Sequence, residues 1–241
     1  MNNVLEIKNF SKSYGGTKKA ANNINLTLEA GDIYGFIGHN GAGKTTTIRS
    51  IVGVINFEEG EILVDGISVK EDPVATKSRI AYIPDKPDIY EYITGIQYLN
   101  YIGDIFSVPK NERQQRIEEF AEALELKNNL GDLISSYSHG MKQKCSLIGA
   151  FMHQPKLLVL DEPFNSLDPM ATITLRKMMH DLCEKGSAIF FSSHVLVTVE
   201  QLCNKIGIIK DGKLVTHGAT ADVLGDSSLE ELFLEVAKGG S

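Results

Sequence analysis

Gly38-His39-Asn40-Gly41-Ala42-Gly43-Lys44-Thr45-Thr46 is the stretch on which the fold turns. It fits the spacing G-x-x-x-x-G-K-[ST], and its flanks matter as much as its letters. Upstream, residues 31–37 (GDIYGFI) read as a short buried strand. Downstream, residues 45–52 (TTTIRSIV) can run as a helix until Gly53 ends it. Strand, glycine loop, helix is the arrangement a phosphate cradle needs. Glycines let backbone N–H groups turn inward around an anion, and the helix N-terminus adds its dipole. Lys44 supplies a point charge for the outer phosphates and Thr45 a hydroxyl for Mg²⁺. A glycine-rich strand-to-helix turn that binds nothing satisfies the same letters, so the remainder of the chain has to decide.

The 241 residues can bury a large core, as one domain with a subdomain or as two small domains. A hydrophobic content of 42% with 23% charged residues is that of an ordinary globular chain. The net charge of −7 argues against a nucleic-acid partner, because phosphate binding along a strand needs clustered Lys and Arg. Lys18-Lys19 and the Lys142/Lys144 pair are isolated and read as solvated surface. Cys145, Cys183 and Cys203 are scattered without a C-x-x-C spacing, which suits reduced, buried thiols better than a disulfide frame or a zinc site. The opening MNNVLEIKNF has no charged-then-apolar signal pattern, and no apolar run approaches the ~18 residues of a membrane span. The expectation is a cytosolic chain, or one held at a membrane through a partner. Gly239-Gly240-Ser241 play no part in this reading.

Taken in order, residues 4–10 alternate as a half-buried strand, and after a turn at Gly15-Gly16 the two-residue period returns at Ile24, Leu26 and Leu28. That pattern predicts an antiparallel pair ahead of the phosphate loop. Tyr14, in the turn, is either a base-stacking aromatic or an ordinary surface tyrosine. Residues 60–66 form a strand closed by Asp65-Gly66; residues 73–77 start a short helix; residues 79–83 form a strand stopped by Pro84. The character then changes. Ile96, Leu99, Ile102 and Phe106 share a helical face, as do Ile117, Phe120, Ala121 and Leu124, and a third helix spans about 140–153. Residues 85–154 therefore read as an inserted helical subdomain. The apolar run 156–160 suits a central parallel strand covered on both faces. Asp168-Pro169 looks like an N-cap with proline at the first helical position, opening a helix that ends at Gly186. A strand at 187–192, a helix at 194–203, a strand at 205–209, a hairpin through Asp211-Gly212 to 213–217 and a helical tail at about 219–237 complete the chain. The predicted fold is α/β: a mostly parallel sheet carrying the phosphate loop, with an antiparallel β subdomain and the helical insertion. Residues 1–84 and 155–218 form its core, and 219–241 the tail.

Open parallel sheets bind ligands at the carboxyl ends of their strands, where both Thr45 and the pair Asp161-Glu162 fall. Asp161 can hold Mg²⁺ directly or through water. Glu162 can face a γ-phosphate and polarise a water for in-line attack. Two adjacent carboxylates repel unless a cation or proton offsets them, and a bound Mg²⁺ does so.

With these residues in hand the chain resembles the ATP-binding subunits of ABC transporters over nearly its whole length. Tyr14 matches the aromatic that stacks on adenine, and Tyr137-Ser138-His139-Gly140-Met141-Lys142-Gln143 the signature stretch. Asn165-Ser166-Leu167-Asp168 matches the D-loop and His194 the switch histidine, all in the family's order. The resemblance implies ATP and Mg²⁺ as ligands, with residues 38–46 on the phosphates, Thr45 and Asp161 at the metal, and Lys44, Glu162 and His194 in catalysis. It also implies a head-to-tail dimer with a second copy or a similar subunit, in which Ser138, His139 and Gly140 of one copy complete the other's site. A separately encoded transmembrane permease would be the further partner. Two motifs depart from the family: in the signature Tyr137 and His139 stand where Leu and Gly are usual, and Asp85 stands where a glutamine is expected. An acidic residue there, with the GMKQ ending, resembles bacterial ABC-2-type exporters, including drug and antibiotic-peptide resistance pumps. A carboxylate at 85 can still reach Mg²⁺ or its water. Ile89, Tyr90, Tyr92 and Ile93 are candidates for the permease-docking groove or for subdomain core. A single-cassette ATPase serving a cytosolic assembly is the rival from another class. A regulator that binds without hydrolysing fits less well, because Lys44, Asp161, Glu162 and His194 are all present.

Overall fold

A computed structural model describes residues 3–15 and 19–239. The expected turn residue Gly16, Lys18 of the expected surface pair, and Gly240 and Ser241 of the expected tail lie outside the described residues. The chain opens with β1 (Asn3–Ser13) and β2 (Lys19–Glu29), which pair antiparallel, and β4 (Glu59–Val64) pairs with the other edge of β1. The hairpin at Asp65-Gly66, both residues at positive φ, leads into the two-residue β5 (Ile67–Ser68). The larger sheet is built from β3 (Ile33–Ile37), β6 (Ile80–Ile83), β7 (Leu157–Asp161), β8 (Ala188–Ser192), β9 (Lys205–Lys210) and β10 (Lys213–Ala219). Its order is β10-β9-β3-β8-β7-β6, parallel throughout except for the β9–β10 hairpin.

Every residue of β3, β7 and β8 is buried, and the two-residue period of each strand sorts its side chains between two cores. Ile33, Leu158, Leu160, Ile189 and Phe191 point into one. Tyr34, Phe36, Leu157, Val159 and Phe190 point into the other, which they share with the antiparallel sheet through Ile7, Leu26 and Ile62. Helix α1 (Lys44–Ile51) follows the phosphate loop and packs in this second core through Ile48 and Ile51. Thus the parallel strands lie between the small sheet and α1 on one side and further helices on the other, which is why their sequences read as continuous apolar runs.

Between β6 and β7 come α3 (Gly95–Ile105), α4 (Lys110–Ala123), two 3-10 turns (Lys127–Asn129 and Ile134–Ser136) and α5 (His139–Met152); the five-residue α2 (Pro73–Lys77) precedes β6. Thr94 and Gln97 form a capping box at the start of α3, and Leu99, Ile117, Ala121 and Leu124 are buried as their spacing requires. Tyr137 is anchored in this core as well, its hydroxyl donating to the Asn129 carbonyl at 2.7 Å. Helix α6 (Pro169–Glu184) has Asp168 as N-cap and Pro169 at its first position.

Three local expectations are corrected. Helix α7 (Leu196–Leu202) starts two residues after His194, which belongs to the preceding loop. The tail is two helices, α8 (Thr220–Leu224) and α9 (Leu229–Lys238), because Gly225 takes φ +54° and Ser228 and Glu231 then build a new capping box. Lys142 and Lys144 are not a solvated pair: Lys142 binds Glu91, and Lys144 binds Asp168 at 2.8 Å with its side chain only 12% exposed. The basic residues are covered because acidic partners far away in sequence reach them. All three cysteines are buried and unpaired, as expected.

One half-buried histidine gives the fold a pH signature. His153, after α5, stacks on Phe106 at the end of α3, ring centroids 3.7 Å apart and planes within 5°. Burial pushes its pKa down from 6.5 to about 4. Between those values the unfolded chain binds a proton that the folded chain refuses, so stability falls as pH drops through the window. The melting temperature of the parent should therefore fall more steeply from pH 6.5 to about 4 than that of His153→Phe. Parallel curves would show that His153 is free to protonate in the fold.

Candidate functional site

The phosphate loop leaves β3 at the carboxyl edge of the large sheet, and its glycines are required by close contact. Gly43 has φ +114°, and a methyl on it would lie 2.2 Å from the Ala20 carbonyl oxygen of β2. A methyl on Gly38 would lie 2.5 Å from the Ile209 carbonyl oxygen. The loop is thus pressed between β2 and β9 while its other side faces a cleft of about 280 Å³. His39, Asn40, Gly41, Gly43, Lys44, Thr45 and Thr46 line the cleft with Asp85, Asp161 and Glu162. Ala42 is buried beneath the loop. No side chain caps the start of α1, and no acidic residue occupies its first turn, so its N-terminal N–H groups and dipole are left for an anion.

Lys44 is buried, its ammonium donating to the Gly38 carbonyl and, at 3.3 Å, to the His39 carbonyl. Burial lowers its pKa, against which the charges of Glu162 and Asp161 act. Thr45 Oγ1 donates to Asp161 Oδ2 at 3.4 Å, and Ser192 Oγ at the end of β8 donates to Asp161 Oδ1. Glu162 sits one residue past β7 at φ +52°, a backbone state uncommon outside glycine, with its N–H donating to the Ser192 carbonyl. Its Oε2 meets the backbone N–H of His194 at 3.2 Å and His194 Nδ1 at 2.8 Å. Asp85 also accepts from Asn165 Nδ2 at 3.3 Å. Tyr14 stands at the rim, its hydroxyl 3.5 Å from Thr46 Oγ1, its ring exposed and Lys12 Nζ 5.3 Å from the ring centroid.

The structure therefore gathers residues 38–46, Asp85, Asp161, Glu162 and His194 around one cleft, with Tyr14 at its edge. It does not bring Ser138, His139 and Gly140 there. They form the start of α5, where Ser138 Oγ accepts the Met141 N–H at 3.2 Å and His139 is exposed. Asp168 is also outside the cleft, tied to α5 through Lys144. Ser192 was missed from the sequence; its place at the end of an uninterrupted apolar strand was the available signal, while the adjacency of that strand to β7 was not.

A mostly parallel sheet, a glycine loop that runs from β3 into a helix, and carboxylates at the end of β7, one strand removed from β3, together define a P-loop nucleotide hydrolase. The comparisons carry the assignment further. Residues 21–165 match the family described as ABC transporter, and the chain belongs to that family. It is similar to the ABC-type transporter ATP-binding protein EcsA of Bacillus subtilis (strain 168): 32% identical over 240 residues, covering 98% of this chain and 97% of that protein. It is also similar to the bacitracin transport ATP-binding protein BcrA of Bacillus licheniformis, 37% identical over 216 residues, 89% of this chain and 69% of the relative. A solved ATP-binding subunit of an ABC transporter superposes with a TM-score of 0.94 at 30% identity, covering 97% of this chain and 99% of that one. The protein is an ATP-binding subunit of the ABC family, and the family hydrolyses ATP. Among the described residues no helix is long and apolar enough to cross a membrane.

Proposed function

We propose that this chain binds Mg-ATP in the cleft and hydrolyses it to drive a separately encoded membrane exporter of drugs, peptides or lipids. The observation that carries the reading is the meeting of Glu162 and His194 at the mouth of a cleft whose floor is Lys44 and whose wall is Asp161. Lys44 would leave the loop carbonyls for the β- and γ-phosphates, the N–H groups of residues 38–46 would cradle them, and Tyr14 would stack on the base. Thr45 and Asp161 present two hard oxygen donors side by side, which suits Mg²⁺; that ion takes one or two protein oxygens and completes its shell from phosphates and water. Asp85 would stand behind that shell. A bound Mg²⁺ would neutralise phosphate charge, while Glu162, oriented by His194, polarises the attacking water.

The start of α5 lies outside the cleft with Ser138 and His139 exposed, which supports a head-to-tail dimer in which Ser138, His139 and Gly140 of a second copy close the cleft. ATP but not ADP would be clamped from both sides, so the dimer would act as a switch driven by differential affinity. Residues 85–154 would move as a helical subdomain, with 1–84 and 155–218 as the core and 219–241 as the tail. Of the candidate docking residues, Ile89 is buried and Ile93 packs on the core, whereas Tyr92 is 94% and Tyr90 62% exposed. Ile89 lines a groove of about 250 Å³ with Pro84, Pro87, Ile102 and Phe106, and the two tyrosines follow it in the chain. This groove would take a cytoplasmic helix of the permease and hold the subunit on the inner face of the cell membrane.

Pull-down from detergent-solubilised membranes tests the reading. A membrane protein should co-purify, and the double variant Tyr90→Ala/Tyr92→Ala should lose about tenfold or more of that recovery with basal ATP turnover kept. Recovery solely with a cytosolic complex would favour the assembly ATPase instead.

A further inference from the structure

The segment that leaves Glu162 is fastened to the first turns of α5 at three points that no role above explains. Gly140, Gln143 and Lys144 stand at i, i+3 and i+4, one face of the helix. A methyl on Gly140 would lie 2.8 Å from the Ser166 carbonyl oxygen, so only glycine lets the helix approach this closely. Gln143 is buried, its Nε2 donating to the Pro163 carbonyl at 3.4 Å while its Oε1 has no partner. A polar atom kept buried and unpaired in this way has a cost that a hydrophobic residue would avoid. Lys144 Nζ pairs with Asp168 Oδ2 at 2.8 Å, and Asp168 Oδ1 accepts the Ala171 N–H, so one carboxylate both caps α6 and ties α6 to α5. Immediately before the first of these ties stands Glu162, whose φ of +52° persists only if its surroundings hold it.

We propose that Lys144, acting through Asp168, is a positioning residue: it locks the segment 163–168 to α5 and so holds the Glu162 carboxylate over the attacking water. This rests on the reading that Glu162 acts on that water. It makes α5 mechanically continuous with the hydrolytic carboxylate, so a shift of the exposed start of α5 would be felt at Glu162 through Lys144 rather than through the phosphate loop. Nucleotide affinity, set on the other wall of the cleft, should not depend on the tie.

Steady-state hydrolysis of ATP by the full chain tests it. Lys144→Met should lower kcat by about 10- to 100-fold, the scale of a misplaced catalytic group, with KM within about twofold of the parent. Lys144→Arg should restore most of the rate. Asp168→Asn, which keeps the capping oxygen but not the charge, should reproduce the loss, and the double variant should be no slower than either single one. A kcat for Lys144→Met equal to the parent's would overturn the proposal, as would a loss expressed in KM, a failure of arginine to rescue, or additive losses in the double variant. The parent's own rate is read in the same assay. Absence of turnover there refutes the hydrolytic reading, whereas a normal parent with an unchanged variant refutes only the tie.

Discussion

Glu162→Gln should abolish ATP turnover and leave the nucleotide bound. Only 15% of the Glu162 side chain is exposed, and its Oε2 already accepts from the His194 backbone and meets Nδ1 of that ring. Glutamine has the same length and keeps an oxygen for those contacts, so the loop need not move. What disappears is the charge that can take or polarise a proton of the attacking water. Loss of a positioned general base lowers rates by ~10²–10⁴-fold. The same change removes one of two adjacent carboxylates beside a polyphosphate, which weakens repulsion in the ground state. ATP affinity should therefore hold or rise, and the ATP-bound dimer should accumulate because its only exit, hydrolysis, is closed. Size-exclusion chromatography with ATP, and with ADP as control, reads this directly: the variant should run as a dimer in ATP alone. Turnover at the parent rate would mean that Glu162 is not the base. A dead variant that stays monomeric with ATP would separate hydrolysis from dimer formation and refute the switch.

How much of this was legible beforehand depended on whether the deciding contact was local. The five-residue strands β3, β7 and β8 could be read because burial on both faces leaves an uninterrupted apolar run. The phosphate loop carried its own context, since the strand before it and the helix after it are each set by a few neighbouring residues. The order of the strands was not readable: β3 lies between β9 and β8, partners more than 150 residues away, and hydrophobic alternation says which face is buried but not against whom. The same limit governs the site. Glu162 and His194 could each be picked out, but not the 2.8 Å contact that joins them. Lys142 and Lys144 looked solvated because Glu91 and Asp168 lie 51 and 24 positions away in the sequence. Tyr137 could be read only as a departure from the signature, not as the core residue it is, its hydroxyl spent on the Asn129 carbonyl inside the helical layer. The break in the tail was a different kind of miss. Gly225 and the Ser228/Glu231 box were local and visible, and the apolar periodicity on either side concealed them.

Lys44→Ala should weaken nucleotide binding itself, by about 10- to 200-fold if one charge-assisted contact of ~1.5–3 kcal/mol is lost. The side chain is poised for this by its present partners. Its ammonium is buried, and it spends its donors on the Gly38 and His39 carbonyls, which hold it inside the loop at the point where phosphate oxygens would enter. Exchange of two neutral acceptors for anionic ones strengthens each contact while leaving the number of donors unchanged. Burial lowers the pKa of this lysine, and the nearby charges of Asp161 and Glu162 oppose that, so a polyanion in the cleft would favour the charged form further. Alanine keeps the backbone and the N–H groups of the loop, so some affinity for ATP should survive. Titration with a fluorescent ATP analogue should show the loss for the triphosphate to exceed that for the nucleoside monophosphate, because Lys44 is assigned to the outer phosphates. Equal losses for both would place the lysine in support of the empty loop, through Gly38 and His39, and not on the ligand. An unchanged dissociation constant for ATP would refute its assignment outright. The contrast with Glu162→Gln then separates the two walls of the cleft, one lost in binding and the other lost in turnover with binding retained.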